Sequence, residues 1–207
     1  MGILSGAVRF RRYQVRGQIP DGFKDEFEEA IRKFGFQDFA EDDERDQVAG
    51  WAPVDDWFSA DLPLDRWLVA NSVCLALRID TKRLPAQFFR YQCRQLEAEW
   101  RQKSGRENLS RAEREEVQAI VRRQLLRRAI PAVQGVDLCW DMDRGEVWFW
   151  STGETVNESF RSLFEKTFRV KLRPLFPYAL ALRQQSDDDA EMLERVVPSV
   201  LRGEVQA

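Results

Sequence analysis

Residues 85–131 read PAQFFRYQCRQLEAEWRQKSGRENLSRAEREEVQAIVRRQLLRRAIP, and this stretch decides the fold class. Pro85 stands where the first turn of a helix tolerates an imino acid, so a helix is expected over Pro85–Lys103. A second is expected over Ser110–Ala129, opened by a capping box from Ser110 to Glu113 and stopped by Pro131. The connector Ser104–Leu109 is short and contains Gly105, so the two helices should fold back on each other as an antiparallel hairpin. Phe89, Cys93, Leu96 and Trp100 recur at helical spacing and make one apolar stripe. Val117, Ile120, Val121 and Leu125 make the matching stripe on the second helix. About 100° round the first helix, Arg90, Arg94 and Arg101 share a face with Glu97. At roughly 1.5 Å per residue such a helix gives an arm of about 28 Å, longer than a duplex is wide.

Outward from the arm the pattern changes to short strands. SVCLALRID, Ser72–Asp80, reads as a buried strand; Val136–Asp141 and Glu146–Ser151 read as a hairpin around Met142-Asp143-Arg144-Gly145. Thr155–Phe168 is amphipathic with a second expected capping box, Thr155 to Glu158, and Phe168–Leu175 supplies a last strand. Before the arm, Val8–Val15 reads as a strand, Asp21–Phe34 as a helix ending at Gly35, EDDERD (Glu41–Asp46) as a loop, and Gly50–Pro53 as a short strand or turn. Trp57 and Trp67 fall in a connector. The expected fold is α+β, with antiparallel sheet in β-α-β-β, αα-hairpin, β-β-α-β order and a projecting two-helix arm. It divides into an N-terminal half (1–80), the arm (81–131), a C-terminal half (132–180) and an acidic tail (181–207).

Composition narrows the chemistry. The 207 residues are 43% hydrophobic and 12% aromatic, enough to build a core, and charges break every apolar run before it reaches the length of a membrane span. Basic residues follow the first apolar stretch, the reverse of a signal peptide, so a cytosolic protein is expected. Cys74, Cys93 and Cys139 are odd in number and lack CxxC spacing, which indicates neither a disulfide framework nor a zinc knuckle. With no histidine, His triads, His bases and His ligands are all excluded, and any catalysis would run on carboxylates. Asp137, Asp141, Asp143 and Glu146 on the hairpin form the best local set for holding magnesium, although turn and solvent-face roles account for them equally well. No phosphate-binding glycine loop, nucleophile elbow, helix-turn-helix or zinc-finger signature occurs. The leading expectation is therefore a protein without catalytic residues, metal or cofactor.

The net charge of −3 conceals a segregation. Arg78–Arg128 holds 14 Lys+Arg against 7 Asp+Glu, and Arg161–Arg183 holds 6 against 1, whereas Asp21–Asp65 holds 15 acids and 4 bases. Arginine supplies 26 of the 32 basic residues, and its planar fork pairs with phosphate in two-pronged fashion. A GC-rich genome would raise arginine everywhere, but it would not cluster it. Of the seven tryptophans, most are expected in the core, with Trp148 and Trp150 partly exposed on one strand face.

Taken together, Gly50-Trp51-Ala52-Pro53, the strand Cys74–Asp80, the Arg/Glu-rich helix pair closing on Leu125-Leu126-Arg127-Arg128-Ala129, Val136–Ser151 and the helix leading to Leu172-Arg173-Pro174-Leu175 resemble the RdgC family. The resemblance spans roughly residues 5–180. It implies a bacterial, recombination-associated subunit that dimerises into a ring around double-stranded DNA, binds without sequence preference and restrains a RecA-type recombinase. By motif position it implies a basic inner wall of Arg90, Arg94, Arg101 and Lys103 on the first arm helix and Arg122, Arg123, Arg127 and Arg128 on the second, with Lys82 and Arg83 at the root. Ile130 falls beside the family's dimer contact. Full-size members continue past the last strand, where this chain has acidic residues instead, so a short form is expected. The implied location is the cytoplasm, on the nucleoid, with no membrane partner. Two rivals stand beside this reading: a metal-dependent exonuclease, as the family is sometimes labelled, and an adaptor that uses the arm to bind another protein.

Overall fold

A computed structural model describes residues 2–3, 9–40, 43–176 and 180; the expected acidic tail, and Val8 of the first expected strand, lie outside the described residues. The element order is β1 (Arg11–Arg16), α1 (Phe23–Lys33), β2 (Gln47–Ala52), α2 (Leu64–Trp67), β3 (Leu68–Val69), β4 (Ser72–Thr81), α3 (Ala86–Ser104), α4 (Arg111–Arg128), β5 (Ala132–Asp141), β6 (Glu146–Phe149), α5 (Glu154–Phe168) and β7 (Lys171–Leu175). The fold is α+β, as the alternation of apolar periods requires. Among the described residues all seven strands join one antiparallel sheet in the order β2-β4-β5-β6-β1-β7, with the two-residue β3 paired to β4.

The longest ladder joins β4 to β5 without a break, from Ser72↔Asp141 to Thr81↔Ala132. Its last pair stands where the chain leaves for α3 and where it returns from α4, so the arm is the loop of one very long hairpin. β5 begins at Ala132, four residues earlier than its hydrophobicity suggests, because Val133 and Gln134 are exposed and their backbone groups are recruited by β4.

One face of the sheet carries the core. Val73, Leu75, Leu77 and Ile79 alternate along β4, and Val136, Leu138 and Trp140 along β5, all buried against α1 and α5. Phe27 of α1 and Phe164 and Phe168 of α5 close on Trp140 with ring centroids 5.3–5.8 Å from it. Two polar ties lock α5 in place: Trp51 donates its indole N–H to Thr167 Oγ1 at 2.8 Å, and Tyr13 donates its hydroxyl to Asn157 Oδ1 at 2.6 Å. Asn157 also replaces the expected Thr155–Glu158 box. Helix α5 starts after Gly153 with no side-chain cap, and the Asn157 amide donates instead to Gly153 O and Ser151 O. An apolar face dense in phenylalanine sets the start of this helix, and the box would require it to begin two residues later.

The segment between β2 and β4 was expected to be a connector, and it holds α2 and β3, which bury Trp67. Trp51 and Trp140 are also buried, whereas Trp148 and Trp150 are half-exposed, in line with their position on the other face.

That second face is approached closely at two glycines, by backbone at Gly50 and by an indole ring at Gly135. A Cβ on Gly50 would lie 2.5 Å from Phe36 Cα, and one on Gly135 would lie 2.2 Å from the Trp57 ring. Because main chain yields less readily than a side chain, Gly50→Ala is expected to lower unfolding stability by about 1–3 kcal/mol, read as a shift in urea midpoint. An unshifted midpoint would mean the 35–36 backbone does not pack there.

Candidate nucleic-acid interface

The arm forms as its sequence specifies. Cys93, Val117 and Val121 are buried between the helices, with Phe89, Leu96, Trp100 and Leu125 packed around them. Gly105 takes the left-handed conformation (φ 65°) that turns the chain at the tip. Ser110 Oγ accepts from the Glu113 amide at 3.3 Å while Glu113 accepts from the Ser110 amide at 2.7 Å, so the first capping box is complete.

Structure then sorts the candidate cations into groups. Arg90, Arg94 and Arg101 are exposed along one flank of α3. From Arg90 to Arg101 the helix rises about 16 Å, on the order of five base-pair steps of a duplex. Lys103 is also exposed but falls on the opposite side of the apolar stripe, at the tip. On α4, Arg122 and Arg123 face the body of the protein. Arg122 pairs with Asp46 at 2.9 Å and Arg123 with Glu44 at 2.6 Å, while Leu126, between them on the helical wheel, is buried. Glu44 and Asp46, just before β2, are therefore a brace for the root of the arm. Both pairs are about half solvent-exposed, so they position the arm more than they stabilise it.

Arg127 is exposed on the side of Arg123. Arg83 and Arg128 line one hollow of about 290 Å³ at the root, together with residues that include Leu84, Phe88, Gln92 and Leu125. Lys82 instead turns to the body: its amide donates to Asp46 O at 2.7 Å and its ammonium sits 4.2 Å above the Phe39 ring. Ile130, just past α4, is 92% exposed, the extreme among the described large hydrophobic residues.

Arg78 belongs to the basic segment by count and not by place. It is buried on the second face of the sheet, its guanidinium bonded to both Asp80 oxygens at 2.9 and 2.7 Å and flanked by the Phe36 and Phe58 rings. Such a pair cancels its own field, so neither charge belongs to a surface patch. No local signal marks it, since an Arg-x-Asp on an alternating strand fits solvent equally well. A second hollow on that face, of about 340 Å³, sets Arg9 beside Trp150, Ser151 and Thr152.

The hairpin carboxylates do not converge. Asp137 accepts from the Ile3 amide at 2.8 Å, Asp143 from the Asn71 amide, Glu146 from Arg12 at 2.7 Å, and Asp141 from the Arg144 amide at 3.0 Å. Burial pushes the Asp137 carboxyl above the ordinary carboxylate range. Among the described residues no three or more Cys, Asp or Glu side chains stand together where they could hold a metal ion.

Residues 11–186 match the family model described as "Putative exonuclease, RdgC". The chain belongs to the RdgC family. At the level of the family this makes it a recombination-associated, DNA-associated protein. No curated protein matches the chain. The matched region contains the whole sheet of this RdgC-family chain, its arm and its brace. Among the described residues no helix is long and apolar enough to cross a membrane.

The tip of the arm carries its own pH dependence. Hydrogen bonds from Ser110 and the neighbouring Arg106 hold Glu113 below the ordinary glutamate value of 4.5. A depressed carboxyl contributes its stability above the unfolded value and loses it as pH falls through the folded one. The Ser110 amide resonance is expected to titrate with a midpoint below 4.5 in the native chain and to stay flat in Glu113→Gln, which keeps an acceptor without the proton equilibrium. A midpoint at or above 4.5 would separate Glu113 from the cap.

Proposed function

We propose that this chain is a sequence-nonspecific double-stranded DNA-binding protein acting in recombination or replication, that it works as a homodimer, and that by occupying duplex it restrains a RecA-type recombinase. One observation carries the reading: the stripe of Arg90, Arg94 and Arg101 standing exposed along a two-helix projection within a segment of 14 basic against 7 acidic residues. Guanidinium groups on a rigid rod suit phosphates, whose spacing is the same whatever the bases. Lys103 extends the basic surface to the tip, and Arg127, Arg83 and Arg128 extend it to the root. Arg122 and Arg123 join it only when phosphate displaces Asp46 and Glu44. The exonuclease reading has support in the family's description, while the separate engagement of Asp137, Asp141, Asp143 and Glu146 favours binding over hydrolysis.

The test is a mobility shift of labelled duplex across a salt series, with and without magnesium. Log affinity should fall linearly with log salt, and each phosphate contact removed by Arg94→Glu with Arg101→Glu should reduce the slope by about 0.9. The loss should be the same for unrelated sequences. Glu44→Gln with Asp46→Asn should raise affinity by releasing the two braced arginines. Unchanged binding in the arginine variant, with its circular dichroism intact, would remove the arm from the interface. Nucleotide release in magnesium that scales with protein would replace binding by exonuclease action.

For the dimer, an isoleucine 92% exposed is the contact to test. Ile130→Asp is expected to convert a dimer to a monomer by light scattering at tens of micromolar, where an interface of about 1,600 Å² normally holds. A native chain already monomeric there would overturn the dimer.

A further inference from the structure

We propose that Cys74 and Cys139 form a thiol–disulfide exchange site whose substrate is a low-molecular-weight disulfide of the glutathione class. The inference is independent of any DNA-binding role for the arm.

The two residues are directly opposite in the β4–β5 register, and their sulfurs lie 3.7 Å apart. Their pairing is of the kind that admits a bridge. The Met142 amide donates to Asn71 O, so Asn71 and Met142 make a hydrogen-bonded pair, and alternation along the ladder makes 74↔139 a non-hydrogen-bonded one. Opposed Cα atoms in such pairs are about 4.5 Å apart, inside the range of about 4.4–6.8 Å that disulfides span. Closing the bond asks the side chains to rotate and the strands to stay where they are.

Two features separate this pair from cysteines that merely fill a core. Both are only partly buried on the second face of the sheet, and neither joins the buried cluster beneath α1 and α5. Cys93, by contrast, is buried inside the arm and has no cysteine near it. The Cys74 thiol also donates to the Cys139 sulfur, which draws the Cys139 pKa down and pushes that of Cys74 up, against the burial and the nearby Asp141 that oppose ionisation of Cys139. Cys139 is thus the attacking sulfur.

The exchange balances in two steps. The Cys139 thiolate attacks one sulfur of glutathione disulfide, whose S–S bond breaks and releases glutathione thiolate. Cys74 then gives up its proton and attacks Cys139 Sγ, forming the Cys74–Cys139 bond and expelling a second glutathione. The two protein thiols are oxidised, the small disulfide is reduced to two thiols, and the two protons leave with them. The new bond lies in the ladder from whose end the arm emerges, and it closes residues 74–139 into a covalent loop that contains the arm.

The experiment incubates the full native chain with graded ratios of oxidised to reduced glutathione, then quenches, alkylates and measures intact mass and peptide map. The expected result is loss of two hydrogen masses, a linked Cys74–Cys139 peptide, Cys93 still alkylated, and a higher melting temperature for the oxidised form at unchanged circular dichroism. Cys93→Ser should behave identically, and Cys74→Ser should retain one glutathione on Cys139. Native chain that keeps both thiols alkylatable at a ratio that oxidises a small dithiol, or that bridges only after unfolding in urea, overturns the proposal. So does native chain that accumulates a stable glutathione adduct without closing the bond.

Discussion

Everything that projects from this molecule depends on the uninterrupted pairing of Ser72–Thr81 with Ala132–Asp141. A two-helix arm joined to a body by two single strands would swing about its root. Here the pair Thr81↔Ala132 holds the departing and returning chain side by side, and the ladder behind it is anchored by Leu75, Leu77, Leu138 and Trp140 in the core. The apolar seam of the arm, with Cys93, Val117 and Val121 at its centre, is small and stabilises only the contact between its own helices. Its direction is therefore inherited from the sheet, and the Asp46–Arg122 and Glu44–Arg123 pairs trim that direction at the root.

The same ladder divides the chemistry of the sheet into two faces. Period-two alternation sends Leu75, Leu77 and Val73 to the core and Cys74, Ala76, Arg78 and Asp80 to the other side. On that side polar and reactive groups are brought into register by strand pairing alone: cysteine meets cysteine, and Cys139 has Trp148 as its neighbour on β6. Arg78 and Asp80 are buried there without a net field, since each satisfies the other and Trp57 O takes a further guanidinium proton.

Charge segregation along the chain consequently has two physical fates. Part of it is spent internally, in Arg78–Asp80 and in the brace between the acidic segment and α4. The rest, along α3 and at the tip, remains in contact with solvent, where its potential extends about a Debye length and is available to an anionic partner.

The sequence by itself determined the arm, the order of the major strands and helices and the α+β class, because each rests on information local to a few turns: the spacing of Phe89, Cys93, Leu96 and Trp100, the Ser110–Glu113 box, the stop at Pro131. It also made the family legible, through the order of those elements. Only the tertiary structure decided which arginines share a surface, that Arg83 and Arg128 line one hollow, that Arg122 and Arg123 are braced by acids more than seventy residues away, and that Arg78 is buried. Nor could spacing reveal that Cys74 and Cys139 are opposite, or that Gly153 and Asn157 begin α5 in place of a Thr155 cap. Contacts of that kind depend on strand register and on how helices seat against a sheet, and those are fixed by burial of the whole core at once, not by any residue's near neighbours in the chain.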